Sequence, residues 1–422
     1  MSRNLQKKTK TMKKTLLFTS MMCFYLLGKA QIVEDSIYML PGYTNESYYS
    51  FQNGEIQNID NTSWDIAFDL SGYGASVRSN EHIGTEVYLY SGSDWQAVDT
   101  TGMIWDTYHN SETTWKIGAF DQSANPADPF DLGWGAYNPV THTISGNKIY
   151  IIKLSNGAYK KIMIESLISG TYSFKYANLD GSDEMTNSVT KSDYNGKNFI
   201  YYSITTHQSI DREPMNSDWD IVFTKYSAEI AMGPGAPTVN YSVTGVLSNN
   251  NIYVREASGV DPLTADFLDY QVDSVINVIG YDWKSFNGMG YTIEPNLSYF
   301  IEDHGGNIWH LLFTDFEGSS TGKIVFGKNL ISSANTYEIV DIKNFEVFPN
   351  PANNNISILI NTSSVNSRIS ITDMSGKIVH YKEIDSSGLI NYPISVSHLN
   401  SGSYFVKVTT DNGQLTKKLI IH

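Results

Sequence analysis

The sequence predicts an all-β chain: two tandem antiparallel β domains of one kind, followed by a small C-terminal β-sandwich. Three observations carry this reading. Short runs of Tyr, Ile, Val and Phe alternate with Gly, Asn, Asp and Ser turns through most of the 422 residues, and few segments show helical periodicity. Aromatic residues make up 13% of the chain, which supplies the large flat side chains that suit a pleated, half-buried surface. Two widely separated motifs recur at nearly the same offset.

The first thirty residues stand apart from that pattern. Met12-Lys13-Lys14 is a basic start, Thr15 to Leu27 is apolar, and Gly28-Lys29-Ala30 places small residues where a signal peptidase reads. The run is too short to span a bilayer as a mature helix. Residues 1–30 are expected to be a signal peptide that starts at Met12, and no other stretch reads as transmembrane. Cys23, the single cysteine, lies inside the apolar run. Cleavage after Ala30 leaves no disulfide, cysteine nucleophile or thiolate metal site. It also removes seven Lys/Arg and no acid, which takes the formal charge from −15 to −22. Such a surface repels nucleic acid and anionic lipid, and it keeps an exported protein soluble.

The repeat organises the middle. Asn61-Thr-Ser-Trp64-Asp65-Ile66-Ala67-Phe68 returns as Asn216-Ser-Asp-Trp219-Asp220-Ile221-Val222-Phe223, 155 positions on. Each follows an aromatic strand, Tyr48-Tyr49-Ser50-Phe51 or Tyr201-Tyr202-Ser203-Ile204. A hairpin around Tyr150 and Gly157 returns around Tyr299 and Gly306, 149 positions on, and each is followed by one more strand. Two similar offsets mean one duplicated domain rather than a solenoid. The domains are expected at 31–185 and 186–335. Period-2 alternation puts Trp64, Ile66 and Phe68 on one face, and likewise Trp219, Ile221 and Phe223. Asp65 and Asp220 point away and are expected to accept hydrogen bonds from a neighbouring strand or turn. Nothing in the sequence sets a second carboxylate or a general base beside them. No phosphate-binding loop, dinucleotide fingerprint or His-Glu-x-x-His occurs, and no paired carboxylates or catalytic triad can be named, so the chain is not expected to be an enzyme.

The tail, residues 345–422, reads FEVFPNPANNNISILI, then ITDMSGKIVHYKEI, and closes LNSGSYFVKVTTDNGQLTKKLIIH. Its marks are Pro349-Asn350-Pro351 after an apolar strand, Gly376 in a D-M-S-G-K turn, Gly402 before Tyr404-Phe405-Val406, Gly413, and Lys417-Lys418 before the last apolar strand. In these features it resembles the type A C-terminal sorting domain of the type IX secretion system of Bacteroidetes. The resemblance implies passage through the periplasm and delivery to the outer cell surface or the medium, with the secretion machinery as partner.

In residues 32–331 the succession of aromatic strand, W-D-I-x-F and loop-rich middle ends in Y-x-I-x-x-x-G-G-N-I-x-x-x-x-F-T-D-F and a last strand. This resembles the HmuY-like haem-binding proteins. The resemblance implies an all-β scaffold whose long middle forms a ligand cleft, with haem held by two axial His or Met residues. In the second repeat the corresponding loop is Ser285-Phe286-Asn287-Gly288-Met289-Gly290, with Asn287 about where a His is expected. The first repeat offers His109 and His142. His109, His142 and Met289 are therefore the candidate ligands for haem or another porphyrin. The alternative is a surface interaction or carbohydrate-binding protein that has lost haem ligation. Trp95, Trp105, Trp115 and Trp134 are candidates for stacking sugars or for core. His304 and His310 are expected in exposed turn and strand positions. The acidic segment from Leu179 to Glu184 is a candidate Ca²⁺ loop or the linker between repeats.

Overall fold

The computed structural model describes residues 32–233, 235–332, 342–362, 364–410 and 413–422. The expected signal peptide, with Met12 and Cys23, lies outside them. Regular structure is strand almost throughout, and the only helices among the described residues are 3-10 turns of three or four residues. None of these is long and apolar enough to cross a membrane.

Both predicted hairpins form. Ile149–Lys153 pairs antiparallel with Tyr159–Ile168, Tyr150 opposite Ile162. Leu297–Glu302 pairs with Ile308–Phe316, Tyr299 opposite Leu311. Gly157 and Gly306 take φ of +84° and +78° in the turns, a conformation in which a Cβ is strained. Each hairpin tyrosine is buried and donates its hydroxyl to a carbonyl of the loop-rich middle, Tyr150 to Phe120 O at 2.8 Å and Tyr299 to Ile279 O at 3.2 Å. The further strands also form, as Thr171–Asn178 and Lys323–Ser332. The acidic segment from Leu179 to Glu184 is the turn between Thr171–Asn178 and Met185–Thr190, not a linker.

Packing units and repeat units differ. The aromatic strand Asn45–Ser50 does not pair with Ile66–Asp69 of its own repeat. It pairs with Ile221–Ala231 of the other, Tyr49 opposite Ile221 and Tyr48 opposite Val222. Reciprocally, Phe199–Ser203 pairs with Ile66–Asp69, Tyr202 opposite Ile66. The repeats thus exchange their first hairpins, Asn45–Ser50 with Gly54–Asp60 and Phe199–Ser203 with Gln208–Ile210. Chain geometry explains the exchange. If the hairpin folded onto its own repeat, Gly54–Asp60 and Ile66–Asp69 would flank one strand and run parallel. Parallel strands need a crossover of about a dozen residues or more. Only residues 61–65 join these two, and only 211–220 join Gln208–Ile210 to Ile221–Ala231.

Two sandwiches result. In the first, an eight-stranded sheet from 86–190 faces the four-stranded sheet built on Ile66–Asp69 and Phe199–Ser203. Its core joins Phe68, Trp134, Tyr150, Tyr172 and Phe174 to Tyr202 and Ile204. In the second, the sheet of Val33–Tyr38, Lys323–Ser332, Ile308–Phe316, Leu297–Glu302 and Tyr253–Ser258 faces the one built on Asn45–Ser50 and Ile221–Ala231. Its core joins Tyr49 and Phe51 to Phe223, Trp283, Tyr299 and Phe326.

One expected face is corrected. Ile66 and Phe68 enter the first core, but Trp64 packs with Ala67, Phe199 and Tyr201 on the opposite side of the sheet. Trp219 likewise packs with Val222 and Tyr48, while Ile221 and Phe223 face the second core. The strands begin only at Ile66 and Ile221, so period-2 alternation does not reach back to either tryptophan.

The tail has its own core, drawn from residues 342–421. Ile342–Phe348, Asn355–Thr362 and Gly388–Ser395 form one sheet. Asn366–Asp373, Ile378–Asp385, Gly402–Thr410 and Gly413–Ile421 form the other. Gly376, at φ +83°, turns the hairpin between the first two of these. Asn350 ties the Pro349–Pro351 corner to the last strand: its Nδ2 donates to Lys418 O at 2.8 Å and its Oδ1 accepts from Ile420 N at 2.9 Å. Lys417 forms an exposed ion pair with Glu346 at 2.7 Å.

Candidate ligand site between the two sandwiches

The exchange creates a seam between the two four-stranded sheets, with local pseudo-two-fold symmetry. Asp65 Oδ2 accepts from Ile204 N at 2.7 Å, and Asp220 Oδ2 accepts from Phe51 N at 2.7 Å. Both carboxylates therefore hold the exchanged hairpin, as expected for neighbouring-strand acceptors. Trp64 meets Tyr201 edge-on at 4.8 Å, and Trp219 meets Tyr48 edge-on at 4.9 Å. Asn80 Nδ2 donates to Asn61 O and Trp64 O, and Asn249 Nδ2 to Asn216 O and Trp219 O. The Tyr48 and Tyr201 hydroxyls lie 3.4 Å apart in the middle.

Charge is buried here too. Arg212 pairs with Glu46, whose Oε2 accepts from Thr224 at 3.1 Å. Burial lowers the Arg212 guanidinium, but Glu46, Tyr48 and Tyr201 beside it together outweigh that and hold its pKa above the usual value. Burial pushes Glu213 up to about 8, although Phe199 N donates to it at 2.8 Å. Burial holds His82 down to about 4. Arg78 donates to the carbonyls of Ser111, Thr114 and Ile117, which pins the loop that carries Trp115 over the seam. Trp115 Nε1 donates across to Ser248 O at 2.8 Å.

A cavity of about 80 Å³ lies inside the seam. Five residues that line it carry a buried polar atom without a hydrogen-bond partner: Ser79 Oγ, Asn80 Oδ1, His82 Nδ1, Trp219 Nε1 and Tyr226 Oη. Two outer depressions share its walls. One of about 450 Å³ shares Asn110, Ser111, Glu112 and Ser227 with it, and one of about 590 Å³ shares Trp115, Asn198 and Phe199.

The three candidate haem ligands are not brought together. His109 lines the depression of about 450 Å³, with Nδ1 2.7 Å from Glu81 Oε1. His142 sits at φ +56° in an exposed turn, with Nδ1 2.7 Å from the Tyr137 hydroxyl. Met289 is 96% exposed at the end of the Lys284–Phe286 hairpin. None of these cavities is lined by two of them. Among the described residues no group of three or more His, Cys, Asp or Glu could hold a metal ion. Of the tryptophans, Trp95 and Trp134 are buried, Trp105 is partly exposed and Trp115 lines the seam. The expectation for His310 is corrected: it is buried, stacks on Phe300 at 4.7 Å, and is held down to about 4 by that burial. Sequence reasoning missed Arg78, His82, Arg212, Glu213 and Tyr226. They come from both repeats and meet only through the exchange.

Residues 346–422 match the family described as the secretion system C-terminal sorting domain. The tail is a type IX sorting domain. The protein is thus a type IX cargo, handled by that machinery and delivered to the outer surface or secreted. No curated protein matches the chain. Two solved structures from Porphyromonas gingivalis are similar at a distance. PorZ, described as an essential surface component of the type IX secretion system, is 12% identical with a TM-score of 0.16, over 68% of this chain and 41% of that one. Dimeric latent PorU is 11% identical with a TM-score of 0.17, over 89% of this chain and 40% of that one. The cargo spans about two-fifths of each, and at these TM-scores neither likeness bears on its fold or role.

Proposed function

We propose that this type IX cargo is a non-enzymatic exported binding protein whose ligand seat is the seam between its sandwiches. The observation that supports this most directly is the set of five unpartnered buried polar atoms around one cavity. Leaving one such group unpaired costs about 1–3 kcal/mol. Five at one place is an arrangement that suits a ligand or ordered water. The nearby carboxyl groups favour binding over catalysis, because Asp65, Asp220 and Glu213 are engaged by backbone amides and Glu46 by Arg212 and Thr224. On this reading the chain keeps a HmuY-like scaffold and has lost iron ligation.

Haem capture keeps one supporting observation, that His109 lines a depression of about 450 Å³. Haem bound through two side chains needs both on one slot, and His142 and Met289 do not line the depression that His109 lines. Titration of the mature protein with haemin separates the readings. No Soret shift is expected. A low-spin six-coordinate spectrum that His109→Ala or His142→Ala abolishes would restore haem capture and displace the seam.

A further inference from the structure

We infer that the depression beside Trp115 takes a neutral oligosaccharide, one hydroxyl-bearing arm of which enters the seam cavity; this rests on the seam being the ligand seat. The depression measures about 590 Å³, within the ~300–1,000 Å³ usual for small-molecule sites. The inner cavity, at about 80 Å³, has room for two or three waters at ~30 Å³ each. It is too small for a whole sugar ring and large enough for an exocyclic arm.

Beside Asp69, Lys116 and Lys197, of which Lys197 is paired with Asp211, the lining chemistry is that of a polyol site. Asn198, Asn216, Asn249, Asn250 and Asn251 line the depression, together with Tyr253, which is 40% exposed. A carboxamide presents a donor and an acceptor side by side in one plane, which matches two neighbouring hydroxyls. Part of this set is already committed: Asn198 donates to Asn249 at 2.7 Å and accepts from Asn250 at 3.0 Å. Asn216 Oδ1 is buried without a partner, an acceptor left for a hydroxyl. Inside, Trp219 Nε1 can only donate, Asn80 Oδ1 can only accept, and Tyr226 Oη and Ser79 Oγ do either. A hydroxyl, donor and acceptor at once, satisfies such a mixed set, whereas a carboxylate or an ammonium satisfies half of it. Trp115 and Phe199 supply apolar wall common to both spaces. No His, Met or Cys lines the depression, so it lacks the His or Met pair expected of haem capture.

The test is calorimetric titration of the mature chain with neutral tetrasaccharides of glucose, N-acetylglucosamine and xylose. One series should bind, and Tyr253→Ala and Asn251→Ala, both at the surface, should each weaken it tenfold or more. Tyr226→Phe, which removes only an unpartnered hydroxyl, should leave the melting temperature unchanged or higher and still weaken binding. Silence from all three series overturns the carbohydrate class. If ethylene glycol, with four heavy atoms small enough for the inner cavity, then protects the wild type and not Tyr226→Phe, only the class has failed. If haemin binds instead, and His109→Ala abolishes it, the seam reading has failed as well.

Discussion

Glu213 is the residue through which the seam answers to pH. Burial pushes its carboxyl up to about 8, and the amides of Phe199 and Asn198 lower it only in part. Folded Glu213 is therefore neutral where the unfolded chain, titrating near ~4.3, is already ionised. Its contribution to stability is complete below that unfolded value and is lost as pH rises through about 8. His82 works in the opposite sense: held at about 4 when folded, it favours folding increasingly as pH rises from 4 towards its unfolded value of ~6.5. Glu213→Gln keeps the shape and the acceptor for Phe199 N but cannot ionise. Its melting temperature should lie near the wild-type value at pH 5 and above it at pH 8. A wild-type lead at pH 8 would contradict the neutral buried acid. The tryptophans of the repeat give a second test. Trp64 and Trp219 occupy equivalent places, 8% and 2% exposed, so Trp64→Ala and Trp219→Ala should each cost about 3–5 kcal/mol in denaturant unfolding. A near-zero cost at either position would mean that the seam is not packed as described.

At the scale of elements, strand and turn positions were legible and strand partners were not. Alternation and Gly turns located both Tyr150 and Tyr299 hairpins, because those partners are neighbours in sequence and a two-stranded register follows from the turn. Nothing local shows that Tyr49 lies opposite Ile221 and Tyr202 opposite Ile66. The available signal was the five-residue link from Asp60 to Ile66, too short for a parallel crossover. Missing the exchange also hid the site. Trp115 could be named as a sugar-stacking candidate, whereas Arg78 and Glu213 become neighbours of one cavity only once the sheets are paired across repeats. Asp65 and Asp220 fasten the exchanged hairpins through the buried amides of Ile204 and Phe51. Asp220→Ala and Asp65→Ala should each leave at least one amide unpaired and cost about 1–3 kcal/mol. Hydrogen exchange should quicken at Phe51 in the first variant and at Ile204 in the second. Exchange spread evenly over the chain would argue that the two carboxylates do not act on separate hairpins.

At the scale of the molecule, the cargo closes end to end. Val33–Tyr38, its first strand, pairs with Lys323–Ser332, its last, and each sandwich needs strands from both repeats. The sorting domain is different, with a core drawn only from 342–421. A chain truncated before 345 should therefore fold and stay in the periplasm, and its arrival at the surface would contradict the sorting role of the tail. Cutting between the repeats should have the opposite effect on folding. Residues 31–185 alone lack the partner of Asn45–Ser50, and they leave Ile66–Asp69 without Phe199–Ser203. The core around Phe68 would lose Tyr202 and Ile204, and that around Phe223 would lose Tyr49 and Phe51. Neither 31–185 nor 186–335 should then melt cooperatively as a monomer. Refolded together, the two should form a one-to-one complex with a single transition, because every missing strand is supplied by the other piece. A monomeric 31–185 with a cooperative transition of its own would show that its hairpin can fold back within the repeat. The five-residue link could then not be the cause of the exchange.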